Sequence, residues 1–124
     1  MKAFLFAPPE YWKLPEEARK AFRCGPGRGV LEWLVPDTIY GLSVSAACSI
    51  HDWSYSHGKT ASDKCEADTV FLNNLIRLIE AAGGPWLLRR LRLRRARAYY
   101  EAVSHFGGPA YWNQKNRPTE IGLA

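Results

Sequence analysis

Apolar positions recur along this chain with helical rather than strand spacing. Between Thr60 and Ala82, the residues Cys65, Asp68, Phe71, Leu72, Leu75 and Ile79 fall three and four apart on one stripe, as on an amphipathic helix. Thr60-Ala61-Ser62-Asp63 is a capping-box variant at its start, and Gly83-Gly84-Pro85 breaks it. A second helix is expected from Ser43 to about His57, capped by Ser43 or Ser45 and stopped at Gly58. A third long helix should run from Trp86 to about Phe106 and end at Gly107-Gly108-Pro109. A shorter one opens at Pro15-Glu16-Glu17, with proline first and acids in the first turn, and reaches about Phe22. Strand signals are weak throughout. Pro8-Pro9 closes an extended start, Val30 to Leu42 reads as an ordered apolar loop, and the tail from Ala110 reads as irregular. The expected fold is mainly α, a single domain over 1–124. Its first two long helices are joined by a turn of a few residues, which makes them antiparallel neighbours.

Composition narrows this picture without changing it. A chain of 124 residues can bury about two-thirds of the surface its unfolded form exposes. With 47% hydrophobic and 23% charged residues, a packed core is expected rather than disorder. The formal net charge of +5 favours an acidic partner, either an anionic membrane surface or a nucleic acid. No apolar run approaches the roughly 20 residues needed to span a bilayer. Met1 to Ala7 is too short an apolar stretch for a secretory signal, so the chain is expected to be cytoplasmic, already processed, or exported by a non-classical route. Cys24, Cys48 and Cys65 are too few for a disulfide-dense scaffold and show no zinc spacing; one bridge plus a free thiol, or three free thiols, would fit.

The chemistry concentrates in Cys48-Ser49-Ile50-His51-Asp52-Trp53-Ser54-Tyr55. On a helix Cys48, His51, Asp52 and Tyr55 share one broad face, at i, i+3, i+4 and i+7. His51 and Asp52 lie about 100° apart around the axis, so they can address two different neighbours. Asp68, on the apolar stripe of the next helix, needs a partner or a shifted pKa. His51 and Tyr55 are the partners in reach, and a carboxylate that fixes a histidine tautomer is half of a general-base dyad. Cys24-Gly25-Pro26-Gly27-Arg28-Gly29 carries three glycines and a proline in six residues and must be a tight, backbone-exposing loop. Such a loop can turn carbonyl oxygens towards a hard cation, to which Asp52 can add a carboxylate.

The combination of Cys24-Gly25-Pro26-Gly27 with Cys48-x-x-His51-Asp52-x-x-Tyr55, followed by Asp68-Thr69-Val70-Phe71, resembles the phospholipase A2 family, in particular its bacterial and viral members. The similarity covers about Phe22 to Leu75, with a weaker echo in Tyr99-Tyr100-Glu101-Ala102-Val103. It implies a phospholipase A2-like fold, with two antiparallel helices carrying the dyad, a glycine-rich calcium loop and a third, basic helix. It implies hydrolysis of the sn-2 ester of glycerophospholipids, with His51 as general base, Asp68 holding the imidazole and Tyr55 bonding Asp68. Calcium is expected on the Asp52 carboxylate and the carbonyls of Arg23, Gly25 and Gly27, and the Gly25 N–H should complete the oxyanion site. In the family the cysteines matching Cys24 and Cys48 are bonded to each other, which leaves Cys65 without an evident partner. The chain departs from the family where Ala47 replaces a second cysteine and where the stretch from Gly27 to His51 is longer than in the animal enzymes.

Six arginines between Arg89 and Arg97, interleaved with leucines, suit a helix lying on anionic lipid. Leu88, Leu91, Tyr99, Ala102, Val103 and Phe106 are expected to face inward, leaving Trp86, Leu87 and Leu93 for apolar contact. Nucleic acid is the less favoured partner. The alternative reading is a catalytically silent basic helical module that binds anionic membrane or nucleic acid. An intact Asp52 beside a glycine loop favours the enzyme.

Overall fold

The computed structural model describes residues 4–21 and 36–112. It is mainly helical. Helices α1 (Pro9–Trp12) and α2 (Glu16–Ala21) precede a hairpin of β1 (Thr38–Ile39) and β2 (Leu42–Ser43). Then follow α3 (Ser45–His57), α4 (Ala61–Ala82), α5 (Trp86–Phe106) and α6 (Gly108–Trp112). His51 meets Asp68 and Tyr55 meets Lys64, so α3 and α4 run antiparallel. Arg89 faces Glu80 while Lys64 faces Val103, so α4 and α5 do too.

Local sequence explains why these helices start where they do. The α4 capping box forms in both directions: Thr60 Oγ1 accepts from the Asp63 N–H, and Asp63 Oδ2 accepts from the N–H groups of Thr60 and Lys59. Those backbone bonds hold the Asp63 carboxyl below its ordinary pKa. Helix α3 is capped differently from expectation. Val44 is its N-cap, without a side-chain bond, and Ser43 belongs to β2. The Val44 N–H instead bonds the Asp37 carbonyl across the base of the hairpin.

One core cluster joins Ala47, Cys48 and Tyr55 of α3 to Phe71, Leu75 and Ile79 of α4 and Ala96, Tyr99 and Val103 of α5. Full burial of a side chain such as Phe71 or Leu75 stabilises the fold by about 1.5–3 kcal/mol. A second cluster of Tyr11, Ile50 and Trp53 covers another side of α3. The four residues Cys48, His51, Asp52 and Tyr55 are indeed buried, but so are Ser49, Ile50 and Trp53, so α3 has no single inward face. The N-terminal segment is clamped to α4 by Asn74, which is fully buried. Asn74 Oδ1 accepts the Phe6 N–H at 2.8 Å and its Nδ2 donates to the Phe6 carbonyl at 2.9 Å.

Several expectations need correction. The extended start ends at Pro8-Pro9 as expected, and the short helix α1, which was not expected, begins there. The loop from Val30 to Leu42 holds, in its described part, β1 and the start of β2, joined by Tyr40 and Gly41 with φ of 46° and 81°. Two positive φ values are what a two-residue type I′ turn requires, and glycine meets that need at Gly41 without strain. The tail expected to be irregular from Ala110 continues α6 to Trp112, because Tyr111 is drawn fully into the core. Cys65 is exposed, because the buried face of α4 begins at Ala67 and Asp68 and continues through Phe71, Asn74 and Leu75. On α5, Leu93 packs against the core while Phe106 is exposed, the reverse of expectation. Trp86 and Leu87 are exposed as expected. No described helix is long and apolar enough to cross a membrane.

Candidate functional site

Asp68 is the centre of the site. It lies on the second turn of α4, is 2% exposed, and receives three side-chain hydrogen bonds. His51 Nε2 lies 2.8 Å from its Oδ1, and the Tyr55 hydroxyl donates to the same oxygen at 2.6 Å. Lys64 Nζ donates to Oδ2 at 2.8 Å. His51 and Tyr55 are one turn apart on α3 and Lys64 and Asp68 one turn apart on α4, so antiparallel packing brings all four together.

The electrostatics follow from this geometry. Burial alone would push the Asp68 carboxyl up, but the hydrogen bonds from His51, Lys64 and Tyr55 outweigh it and hold the group below its ordinary value. Tyr55 is pushed strongly the other way, by burial and by the Asp68 carboxylate that accepts its proton. Tyr55 is therefore always a donor to an ionised Asp68. An ionised carboxylate can only accept, so His51 Nε2 is the donor of this contact, which leaves Nδ1 as the ring nitrogen turned away from Asp68. The imidazole is packed between the rings of Tyr55 and Phe71, at centroid distances of 4.2 and 4.6 Å, which fixes its plane.

Two contributors were not anticipated from the sequence. Lys64 is one; its signal was the i, i+4 spacing to Asp68, which suits an ion pair. Gly107, just after α5, is the other. A Cβ there would lie 2.7 Å from the Tyr55 hydroxyl and collide with the Val103 carbonyl, so only glycine lets the end of α5 close over the tyrosine. Tyr111 of α6 completes this floor with an edge-on contact to Tyr55, 5.0 Å between centroids.

Asp52, one position beyond His51, is buried. Among the described residues no group of three or more His, Cys, Asp or Glu side chains converges as a metal site. The expected partners of Asp52 are main-chain carbonyls, and Arg23, Gly25 and Gly27 lie outside the described residues, as does the expected oxyanion donor at Gly25. Cys48 is disulfide-bonded and Cys65 is free; the third cysteine of the chain, Cys24, is outside the described residues. His57, at the end of α3, stacks on Trp53 and bonds its carbonyl, so it serves the helix end and not the Asp68 network. A cavity of about 210 Å³ is lined by Trp53, Ser54, His57 and Ala67, but by none of His51, Asp52, Tyr55 or Asp68.

No protein-family model, no curated protein and no solved structure matches this chain.

Proposed function

We propose that this protein is a calcium-dependent esterase, similar to phospholipase A2, that hydrolyses the sn-2 ester of glycerophospholipids. The observation that carries the reading is the buried contact of 2.8 Å between His51 Nε2 and Asp68 Oδ1, with Tyr55 bound to the same oxygen. A binding-only module would gain nothing from an imidazole oriented in this way, and polar groups in a core weaken packing.

In this reading His51 Nδ1 takes a proton from a water molecule as the water oxygen attacks the ester carbonyl. Asp68 stabilises the imidazolium that forms, without itself taking the proton. His51 then returns the proton to the departing alcohol oxygen. Tyr55 and the ring of Phe71 hold the geometry through both transfers. The donor chemistry fits calcium, a hard cation that takes oxygen ligands, because Asp52 offers a buried carboxylate next to the base. Asp52 with the carbonyls of Arg23, Gly25 and Gly27 would hold the ion. Calcium bound there would polarise the ester carbonyl and offset the phosphate charge.

The arginine helix gives this enzyme its contact with anionic lipid. Arg92 and Arg95 are engaged with the hairpin through the carbonyls of Ile39 and Tyr40 and the Tyr40 hydroxyl, and Arg89 faces Glu80. Arg90, Arg94 and Arg97 are exposed and fall on one face with the exposed Trp86. These, and not the whole run from Arg89 to Arg97, form the membrane-facing set.

The deciding experiment is hydrolysis of mixed anionic phospholipid vesicles, in calcium and in a chelator. Release of the sn-2 fatty acid in calcium alone supports the reading. Absence of release in calcium, with protein bound to the vesicles, would overturn it in favour of the silent module.

A further inference from the structure

Lys64 is the one member of the Asp68 network to which the catalytic reading assigns no task. Its ammonium has three hydrogens, and the fold gives it three acceptors: Asp68 Oδ2 at 2.8 Å, the Val103 carbonyl at 3.0 Å and the Ser104 carbonyl at 3.3 Å. The side chain is 14% exposed, unusually low for a lysine. Val103 and Ser104 lie in the last turn of α5, where a cation is favoured by the helix dipole; the Val103 carbonyl also accepts the Gly107 N–H that closes the helix.

We infer that Lys64 is a positioning residue of the dyad, which locks the Asp68 carboxylate in the one orientation that aims Oδ1 at His51, using the end of α5 as its anchor. The inference rests on the esterase reading for its kinetic consequence only. A carboxylate held by Oδ1 alone can turn about its Cβ–Cγ bond and exchange its oxygens. With Oδ2 fixed by Lys64 and Oδ1 shared by Tyr55 and His51, that rotation breaks three bonds at once. Tyr55 cannot do this work by itself, because it binds the same oxygen as His51 and leaves the other free to swing. The anchor matters as much as the charge. Nζ is tied to two backbone carbonyls of a third helix, so its position is set by the packing of α5 on α4 and not by its own flexible stem. The groups facing the ammonium are Asp68 on its own helix, the Tyr55 ring of α3 at 5.7 Å and the α5 carbonyls.

Lys64→Met keeps the apolar stem and removes the anchor. On a soluble short-chain phospholipid with calcium, its kcat is expected to fall about 10- to 100-fold with KM unchanged, the scale of a lost supporting contact or a small misplacement. Lys64→Arg should recover most of that loss. The hydrogen-bonded Nε2 proton of His51, read by NMR, should shift and broaden in Lys64→Met. A folded Lys64→Met with wild-type kcat and an unmoved proton signal overturns the inference. A lowered melting temperature with both readouts intact overturns it too, since that is a merely structural lysine. If Lys64→Met does not melt cooperatively, Lys64→Gln keeps a donor for the α5 carbonyls and is judged by the same readouts. Should the wild type hydrolyse nothing, the esterase reading fails, yet the proton signal still decides what Lys64 does.

Discussion

Asp68 and Arg94 are both charged residues well inside long helices, and the fold treats them in opposite ways. Asp68 is buried, and each of its oxygens is engaged by donors from α3 or α4. Arg94 is exposed, stands on one face with Arg90 and Arg97, and has no ion pair with another described residue. A charge taken out of water must be fully compensated within the protein, so its partners are fixed and its geometry is definite. A charge left in water costs little and is available to something else. The seam between α3 and α4 is where chemistry can be held still. The outer face of α5 is where a partner can be met.

Substitutions can set these two regions against each other. The largest effect is expected from His51→Gln, which should lower hydrolysis of a short-chain phospholipid by about 100- to 10,000-fold, the usual worth of a general base, while circular dichroism stays helical. Wild-type turnover in that variant would end the proposed mechanism. Asp68→Ala should cost about 3–5 kcal/mol of stability, because it leaves Lys64 and the donors of His51 and Tyr55 without their acceptor in a buried site. Urea titration measures it.

The same carboxylate sets an acid limb. Its folded pKa is below the unfolded value of about 3.9, so its contribution is complete above that pH and is lost as pH falls through the lower folded value. Asp68→Asn should therefore melt with a flatter pH dependence than wild type below about pH 4.

On the other region, reversing Arg90, Arg94 and Arg97 to Glu should weaken binding to anionic vesicles by at least about 1 kcal/mol per position at low salt. Hydrolysis of a soluble substrate should be unaffected. Arg92→Ala should do the reverse, lowering the melting temperature through the lost hairpin contacts and leaving vesicle binding in place. Vesicle binding that falls equally in both would erase the distinction between the two sets of arginines. The last effect concerns Asp52. Calcium at 100-fold excess over its Kd should stabilise wild type by about 2.7 kcal/mol and Asp52→Asn not at all, as read by melting temperature. A wild type that ignores calcium would remove the metal from the proposal and leave the dyad.

The long helices could be read from the sequence because their signals are redundant. In α4 a capping box, an apolar stripe and a double glycine agree, and its bounds fall within a residue of expectation. The hairpin could not be read, because two-residue strands show no alternation and Tyr40 is an unusual residue for a left-handed turn position. α1 and α6, four and five residues long, are held by Tyr11 and Tyr111 entering the core, which is tertiary information. The pairing of His51 with Asp68 was legible as a motif, and the two side chains do meet, at 2.8 Å. Lys64 was hidden because lysines are ordinarily solvated, and only the arrival of α5 gives this one a reason to be buried. The division of the arginines depends on where the hairpin docks, so it was hidden for the same reason.

The clamp between Asn74 and Phe6 has a consequence for how this chain tolerates change. Both bonds run from the Asn74 amide to the main chain of Phe6 and none to its ring. The helix therefore reads a backbone and is indifferent to which side chain the backbone carries at that point. Phe6 can drift to other residues without loosening the attachment, provided proline does not remove the N–H. Asn74 has no such freedom. Aspartate lacks the donor, leucine lacks both groups, and glutamine carries the amide one methylene too far. Arg77 does the same to the Phe4 carbonyl, so α4 holds this segment by its main chain at two points, and the substitutions that matter to these holds fall mainly on the helix.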